Sequence, residues 1–416
     1  MYVKRGRIGG MKKTFGILAA LLFGLSIVSA IPLVCRSAGE MIDLGDLDDD
    51  PNYSYTRANA INDAGQVVGW SNQVVGGESR AFIWENGVMT NIGTPNGPDS
   101  GLTYDHSNAV DINDAGVVLV ETFPVPIGDG DFHAHTWTLA SGFEDKGHYD
   151  GYNCSGSYPN AMNDFGHIAA TSYRTQFITD FGSVSYEVGI IWDGTEWVEM
   201  DMGNFTAYTS YGNYRYALDN MTSPVEINNM DQVVGGYYVE DDMPNPHAYV
   251  YANGEVTDLG RGEAVSINEN GWVLVRLHEQ YSGFVGTYLV IPIDTNLDGK
   301  PDCWFKDEDG VPGNDLAEPV LGDWYSFFGM KVNDVGDVVG FGKYTSSGAD
   351  RSVFWDGYTV TDIGTLEGAT SSQPHDLNIV GEVVGTCWGF SHGGPERSFM
   401  WRPYEGTGAA ITLLTG

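Results

Sequence analysis

Short runs of alternating apolar and polar residues recur along the chain, and most end in a tight-turn signal. The first clear run, Ala60–Gly69, reads AINDAGQVVG. An apolar strand enters, Asn62 begins the turn, Gly65 takes the left-handed position, and a Val-Val-Gly strand leaves. This order of residues predicts a β-hairpin built on a type I turn with a bulge. Helical periodicity is absent outside the N-terminal segment.

The hairpin phrase occurs seven times. Its asparagine stands at Asn62, Asn113, Asn163, Asn228, Asn268, Asn333 and Asn378. In the fourth copy Asp231 replaces the turn glycine. Because aspartate tolerates a positive φ better than most residues, we expect that turn to survive.

A second hairpin phrase follows the first in most copies, as in Arg80–Gly93, which reads RAFIWENGVMTNIG. Two hairpins in each repeat give four strands, the content of a propeller blade. The sequence therefore predicts an all-β, seven-bladed β-propeller of four-stranded antiparallel blades over residues 41–416, the alternative being an open β-repeat solenoid. Met41–Gly45 resembles an outgoing strand but precedes the first hairpin, and Ile411–Gly416 has a similar pattern. We expect the first of these segments, or both, to complete the seventh blade.

The two phrases together resemble the HAF family of extracellular repeats of bacteria and archaea. His133-Ala134-His135 and His247-Ala248-Tyr249 occupy the tripeptide that names this family. The resemblance covers nearly all of the chain after its N-terminal segment. It implies a secreted, propeller-like array, and it supplies no catalytic residues.

The N-terminal 30 residues read as a secretory signal peptide: basic residues, the apolar run Phe15–Val28, then a small-residue cleavage site. The alternative is an uncleaved membrane anchor. Cleavage would leave a protein without a membrane insertion, in the extracellular space, at the cell surface or in the periplasm. The formal net charge of −36 argues against nucleic acid as a partner. The pairing of Cys35, Cys154, Cys303 and Cys387 stays open.

One segment has the pattern of a calcium loop. Asp294–Asp302 reads DTNLDGKPD, in which oxygen side chains alternate around a glycine turn. We place the ion at Asp294, Asn296, Asp298, Lys300 and Asp302. The loop falls in an insertion near residues 291–321, so the role expected of Ca²⁺ is structural; the alternative is an acidic solvated loop.

Two further features are candidates for ligand binding. Four residues before the repeat tryptophan, five of the seven copies are basic: Arg80, His133, His247, Arg351 and Arg397. These cations either bond acidic or carbonyl groups within the blades or form a cationic ring for an anionic ligand. Tyr208, Tyr211 and Tyr214 cluster in the long connection before the fourth hairpin, where aromatic side chains could stack on sugars or pack against a blade. His133 and His135 lie two residues apart on a strand and share a face, so the pair could ligate a metal ion, but the repeat pattern already explains His133.

These features predict a secreted or cell-surface binding or structural module, stabilised by calcium, whose partner is an extracellular glycan or protein. The alternative is a carbohydrate-active enzyme, a glycosidase or lyase, because the fold alone does not exclude catalysis. Two carboxylates outside the repeat pattern that converge at the propeller axis would favour the enzyme. Carboxylates at equivalent repeat positions would instead indicate an architectural role.

Overall fold

Repeated β-hairpins make up the part of the chain that the structure describes. In the computed structural model the described residues are 37–47, 55–72, 79–95, 103–125, 132–151, 153–178, 182–203, 206–211, 214–219, 221–238, 246–279, 283–292, 304, 326–345, 348–357, 359–390 and 394–404. Across these ranges, no helix has the length and apolar character needed to cross a membrane. The predicted signal peptide lies outside them. Residues Ala38–Pro403 fold as one unit.

The strands form seven blades; the first six are each built from consecutive strands, and the seventh also includes the N-terminal strand, β1 (Ser37–Asp43). The first blade has β2 (Thr56–Ile61), β3 (Val67–Asn72), β4 (Ser79–Glu85) and β5 (Val88–Gly93), and the second has β6 (Thr103–Ile112), β7 (Val118–Val125), β8 (Ala134–Thr138) and β9 (Gly142–Asp145). The third has β10 (Cys154–Met162), β11 (Ile168–Ile178), β12 (Gly182–Trp192) and β13 (Trp197–Glu199). The fourth has β16 (Thr222–Ile227), β17 (Val233–Tyr238), β18 (Pro246–Ala252) and β19 (Glu255–Arg261).

The fifth blade has three strands among the described residues: β20 (Glu263–Ile267), β21 (Val273–Glu279) and β22 (Gly283–Val290). The sixth has β23 (Ser326–Val332), β24 (Val338–Lys343), β25 (Arg351–Trp355) and β26 (Val360–Gly364). The seventh joins β27 (Ser371–Leu377), β28 (Val383–Trp388) and β29 (Arg397–Tyr404) to β1 (Ser37–Asp43). An additional hairpin, β14 (Thr206–Tyr211) and β15 (Tyr214–Asp219), stands between the third and fourth blades.

The repeat asparagine and glycine make the turn that their order predicts. In the first blade the Asn62 N–H donates to Gln66 O at 3.1 Å, and the Gly65 N–H donates back to Asn62 O at 3.0 Å. Gly65 has a φ of 77°, in the left-handed region. Asp231 takes the same region with a φ of 56°, and its N–H donates to Asn228 O at 3.0 Å. The expectation that this turn survives without glycine is confirmed.

The ring closes through the N-terminal strand. β1 lies beside β29 as the outer strand of the seventh blade, and the Leu44 N–H donates to Ser398 O at 3.2 Å. The seventh blade in turn contacts the first, where Asp376 Oδ2 accepts the Ile61 N–H at 2.9 Å. The predicted seven-bladed propeller is therefore confirmed and the open solenoid is wrong. Ile411–Gly416 lies outside the described residues.

The hydrophobic core lies between neighbouring blades. At the closure, Val384 and Met400 of the seventh blade pack with Val67, Phe82 and Trp84 of the first. The repeat tryptophans Trp84, Trp355 and Trp401 are all buried. Burial of such a side chain is worth a few kcal/mol, roughly 3–5 kcal/mol lost on truncation to alanine. Their regular spacing is thus explained by packing.

Candidate functional site

A closed ring of hydrogen bonds joins the seven blades at their axis. The side-chain amide of each repeat asparagine donates to the backbone carbonyl of the asparagine in the next blade. The bonds are Asn62 to Asn113 (3.1 Å), Asn113 to Asn163 (3.2 Å), Asn163 to Asn228 (3.0 Å), Asn228 to Asn268 (3.0 Å), Asn268 to Asn333 (2.8 Å), Asn333 to Asn378 (3.0 Å) and Asn378 to Asn62 (3.2 Å). We call these residues the asparagine ring.

Each ring asparagine also holds its own hairpin. The Asn268 Oδ1, for example, accepts the N–H groups of Asn270 at 3.0 Å and Trp272 at 2.9 Å. One amide therefore satisfies the turn of its own blade and a carbonyl of the next. The bond to the next blade is buried, the bonds within the turn are part-buried, and both kinds are architectural, so the best-repeated residue of the sequence is a structural one.

A second ring follows at the next position, composed of Asp63, Asp114, Asp164, Asn229, Glu269, Asp334 and Ile379. Backbone N–H groups in this ring donate to the side chain of the next blade, as from Glu269 to Asp334 Oδ1 at 2.8 Å. Burial raises the pKa of Glu269 to about 7, and the charges of Asp334 and Asp164 add to the effect. Burial and the nearby Asp114 and Asp164 also raise the pKa of Asp334. We call this set the acidic ring; it borders a cavity of about 170 Å³.

A charged cluster lies deeper along the axis. Lys331 contacts Glu226 directly and lies 4.0 Å from Asp376, with Asp111 nearby. Burial alone would lower the pKa of Lys331, but these three carboxylates outweigh it and raise the pKa. Burial raises the pKa of Asp376 to about 7. Asp111, Lys331 and Asp376 border the small cavity on one side and a larger one on the other.

The three carboxylates of this cluster stand at one repeat position, two residues before the ring asparagine. Each accepts a backbone N–H from the next blade: Met162 to Asp111 at 2.8 Å, Ile267 to Glu226 at 3.0 Å, and Ile61 to Asp376 at 2.9 Å. Carboxylates that occupy the same position in several repeats indicate an architectural role rather than a catalytic one. This cluster is therefore assigned a structural role.

Side chains at β-bulges line much of the larger cavity, and the first strand of every blade has such a bulge at the same repeat position. The pairing of each first strand with its second shifts register three residues before the ring asparagine. The residues at the seven bulges are Asn59, Val110, Asn160, Val225, Val265, Met330 and His375. All seven line one cavity of about 570 Å³, which we call the axial chamber. Bulges re-aim a side chain out of the ladder and are frequent beside functional sites.

The bulge also explains the glycine of the Val-Val-Gly phrase. A Cβ on Gly69 would collide with the carbonyl oxygen of Arg57 in the bulged strand opposite it, and one on Gly385 would collide with that of Gln373. The same close approach occurs at Gly235 and Gly340. Glycine is required at these positions because the bulge brings two backbones together.

Polar side chains at the bulges reach the next blade. Asn59 donates to Ala109 O and Asn160 to Pro224 O, both at 2.7 Å, while His375 contacts Ala58 O. In the fifth blade, where Val265 has no donor, Arg276 donates to Gly329 O at 2.9 Å instead. These bonds fix the polar groups of the chamber in place, beside the apolar valines and methionine.

The chamber wall also includes Glu187, Tyr238, Glu263 and Arg276. Glu263 and Arg276 are directly opposite one another on β20 and β21. Burial lowers the pKa of Arg276, while Glu263 raises it. Burial and Arg57 lower the pKa of His375 to about 4, so this imidazole is neutral at pH 7. A neighbouring cavity of about 380 Å³ shares four bulge residues with the chamber and adds Arg57, Trp70 and Asn108.

The cations expected to bind a ligand are placed far from this chamber. They lie on or just before third strands, roughly 10 Å from the axial strand at the usual spacing. His133 contacts Asp145 at 2.9 Å, His247 contacts Asp258 at 3.1 Å, Arg351 contacts Asp362 at 3.3 Å, and Arg397 contacts Asp43. Arg80 donates to Ser79 O at 3.2 Å. These are contacts within single blades, the first of the two interpretations; ligand binding by this column stays a prediction.

The other predicted site residues have no described side chains. Tyr208, Tyr211 and Tyr214 belong to the additional hairpin, in which Tyr211 pairs with Tyr214 across the turn. The predicted calcium positions, Asp294 to Asp302, lie outside the described residues. Over the part of the chain that the structure describes, no group of three or more His, Cys, Asp or Glu side chains is arranged to hold a metal ion.

Sequence reasoning missed the bulge residues. The one available signal was variability: three residues before a well-repeated asparagine, the seven copies carry asparagine, valine, methionine or histidine. Although Asn59, Asn160 and His375 contact backbone carbonyls of neighbouring blades, the architecture does not require one residue type at this position, because valine and methionine occupy it in the other copies. Its side chains form an asymmetric set in a symmetric scaffold.

No protein-family model matches the chain, and no curated protein matches it. Among solved structures, Pyrococcus horikoshii acylaminoacyl peptidase is similar at 12% identity and a TM-score of 0.50, over 86% of this chain and 53% of that one. The chain thus spans about half the length of that peptidase. The β-propeller domain of the Trilobed protease from Pyrococcus furiosus matches at 10% identity and a TM-score of 0.49, over 84% and 93%. Aleuria aurantia lectin matches at 11% identity and a TM-score of 0.33, over 88% and 99%. At these identities the likeness shows the propeller fold alone.

Proposed function

We propose that this protein is a secreted or cell-surface binding module that takes part of an extracellular glycan into the axial chamber. The observation that carries the proposal is the ring of seven bulges, which together contribute four kinds of side chain, asparagine, valine, methionine and histidine, to one cavity. Architecture alone would repeat the same residue, as it does at the asparagine ring. A specific ligand requires an asymmetric set.

The chemistry of the chamber favours a neutral, hydroxyl-rich ligand. Amide, guanidinium and carboxylate groups are held at fixed positions among apolar side chains, the usual composition of a specific small-molecule pocket. Both signs of charge line the chamber: the acids are Asp111, Glu187, Glu263 and Asp376, and the cations are Arg276 and Lys331. Tyr238, and Trp70 in the neighbouring cavity, offer aromatic rings for a sugar face. The volume of about 570 Å³ lies in the ordinary range for ligand pockets.

The experiment is a glycan array probed with the protein lacking residues 1–30 and with two variants. Val225 lines the chamber and is 39% exposed, so V225W fills the cavity; Val198 on β13 is 45% exposed and provides the matched change V198W on an outer strand. We expect V225W to weaken glycan retention more than about tenfold, since a loss of about 1.4 kcal/mol suffices. V198W should bind as the parent does. No retained glycan, or equal retention by both variants, would contradict the proposal.

An enzyme is the second candidate, and one observation favours it. Glu187 and Glu263 both line the chamber, and neither occupies the repeat position of the axial carboxylates. Burial chiefly raises the pKa of Tyr238, and the charges of Glu263 and Glu187 raise it further. Glycosidases use such carboxylate pairs. Mass spectrometry of each retained glycan after prolonged incubation separates the candidates: an intact glycan indicates a binding module, whereas cleavage abolished by E187Q or E263Q indicates an enzyme.

The calcium, location and family parts of the proposal rest on the sequence. The alternating oxygen side chains of Asp294–Asp302 support structural Ca²⁺, and the signal-peptide pattern and the HAF-type repeats support an extracellular setting. Ca²⁺ bound only by the folded state raises the melting midpoint by mass action. We therefore expect EDTA to lower that midpoint and added Ca²⁺ to restore it. An unchanged midpoint would contradict the calcium proposal.

A further inference from the structure

A chain of four titratable side chains lies at the outer part of the second blade. Asp145, at the end of β9, contacts His133 Nδ1 through both carboxylate oxygens at 2.9 Å. The His133 Nε2 lies 3.1 Å from the His148 Nδ1. On its other side, His148 Nε2 lies 2.7 Å from Asp150 Oδ1. The order is thus carboxylate, imidazole, imidazole, carboxylate.

The protons available to these four side chains do not suffice for a hydrogen bond between the two imidazoles. A carboxylate accepts hydrogen bonds, so the outer nitrogen of each imidazole carries the proton that it donates to Asp145 or Asp150. A neutral imidazole has one proton, which leaves a lone pair on each inner nitrogen. Two lone pairs would then face each other across 3.1 Å. Either one additional proton or one metal ion between them resolves the conflict.

We propose that His133 Nε2 and His148 Nδ1 bind a divalent transition-metal ion such as Zn²⁺. Two Zn–N bonds of about 2.0–2.1 Å at a tetrahedral angle place their nitrogens about 3.3 Å apart, close to the distance found. The opposite nitrogens contact carboxylates, the outer arrangement that orients histidine ligands and increases their basicity.

Water completes the coordination, because the His133 and His148 side chains are 16% and 29% exposed. His135, the partner of His133 on the same strand face, is not needed: its Nδ1 lies 3.1 Å from Thr122 Oγ1 and its side chain is buried. The ion would join the connection that follows β9 to the residue that precedes β8. It would thereby stabilise the outer edge of the second blade.

The test is calorimetric titration of Zn²⁺ into the folded protein, after removal of bound metal with EDTA and dialysis. H148Q and H133Q each remove one ligand and should weaken zinc binding by at least the 10- to 100-fold typical of losing an outer partner. H247Q is the matched control, because His247 occupies the same repeat position as His133 and contacts Asp258 as His133 contacts Asp145. It should bind zinc as the parent does.

Circular dichroism of each variant establishes that the propeller is folded. Zinc binding by H148Q equal to that of the parent would overturn the proposal. So would a parent protein that binds no zinc, since a shared proton would then suffice to fill the gap. Neither outcome depends on the chamber, so the glycan proposal stands or fails separately.

Discussion

At the scale of single residues, the structure separates what holds the fold from what is available for binding. The repeat asparagines look like candidates for a site because they recur without exception, yet both ends of each amide bond backbone groups. Leaving such buried partners without their bonds costs about 1–3 kcal/mol each. Strict repetition in this chain therefore marks structure, and variation between repeats marks the candidate site.

The fifth hairpin allows a matched test of the asparagine ring. Asn268 is 4% exposed and bonds three backbone groups, whereas Asn270 on the same turn is exposed and donates one bond, to Asp334 O. We expect N268A to lower the free energy of unfolding by about 2–3 kcal/mol. N270A should cost well under about 1 kcal/mol. Urea unfolding measures both, and equal costs would argue against the ring as an interlock.

At the scale of strands and hairpins, the sequence predicted the elements well and the site poorly. Hairpins follow from local signals, namely alternation, Asn at the turn start and Gly at its end, so all seven copies were found. The bulges were not, because a bulge is a property of the pairing between two strands and has no residue type of its own. The glycine of the Val-Val-Gly phrase is present in the sequence because the bulge brings Arg57 O close to Gly69. Its reason cannot be inferred from the sequence, because the bulge lies on the partner strand.

The acidic ring joins hairpins of different blades and makes their stability depend on pH. The pKa of Glu269 is raised from 4.5 to about 7, so the folded state holds this proton where the unfolded chain has released it. Stability from this group is therefore complete below about pH 4.5 and is lost as the pH rises through 7.

Replacement of this carboxyl by an amide should remove that dependence. We expect E269Q to match the parent at pH 5, where Glu269 is protonated, and to exceed it in free energy of unfolding at pH 8. The control is E255Q, an exposed glutamate at the hairpin tip of the fourth blade. Urea unfolding at both pH values decides; a deficit of E269Q at pH 8 would show that the ring tolerates full ionisation.

At the scale of the whole molecule, closure was predictable but the chamber was not. Met41–Gly45 has the pattern of an outgoing strand without an incoming partner, and β1 indeed completes the seventh blade. The column of cations was also visible, and its blade-internal contacts, including that of Arg397 with Asp43 on the closing strand, fit a symmetric scaffold. The chamber depends on seven inner strands that meet only when the ring is closed, so no local stretch of sequence contains it.

The most direct measurement of the central claim is amide hydrogen exchange with and without the glycan that the array retains best. The account predicts increased protection in the inner strands that line the chamber, foremost β16 and β20, which carry Val225 and Val265. Outer strands such as β13 should exchange as before. Protection confined to the β14–β15 hairpin or to the third strands, with β16 and β20 unchanged, would place the ligand elsewhere and contradict the account.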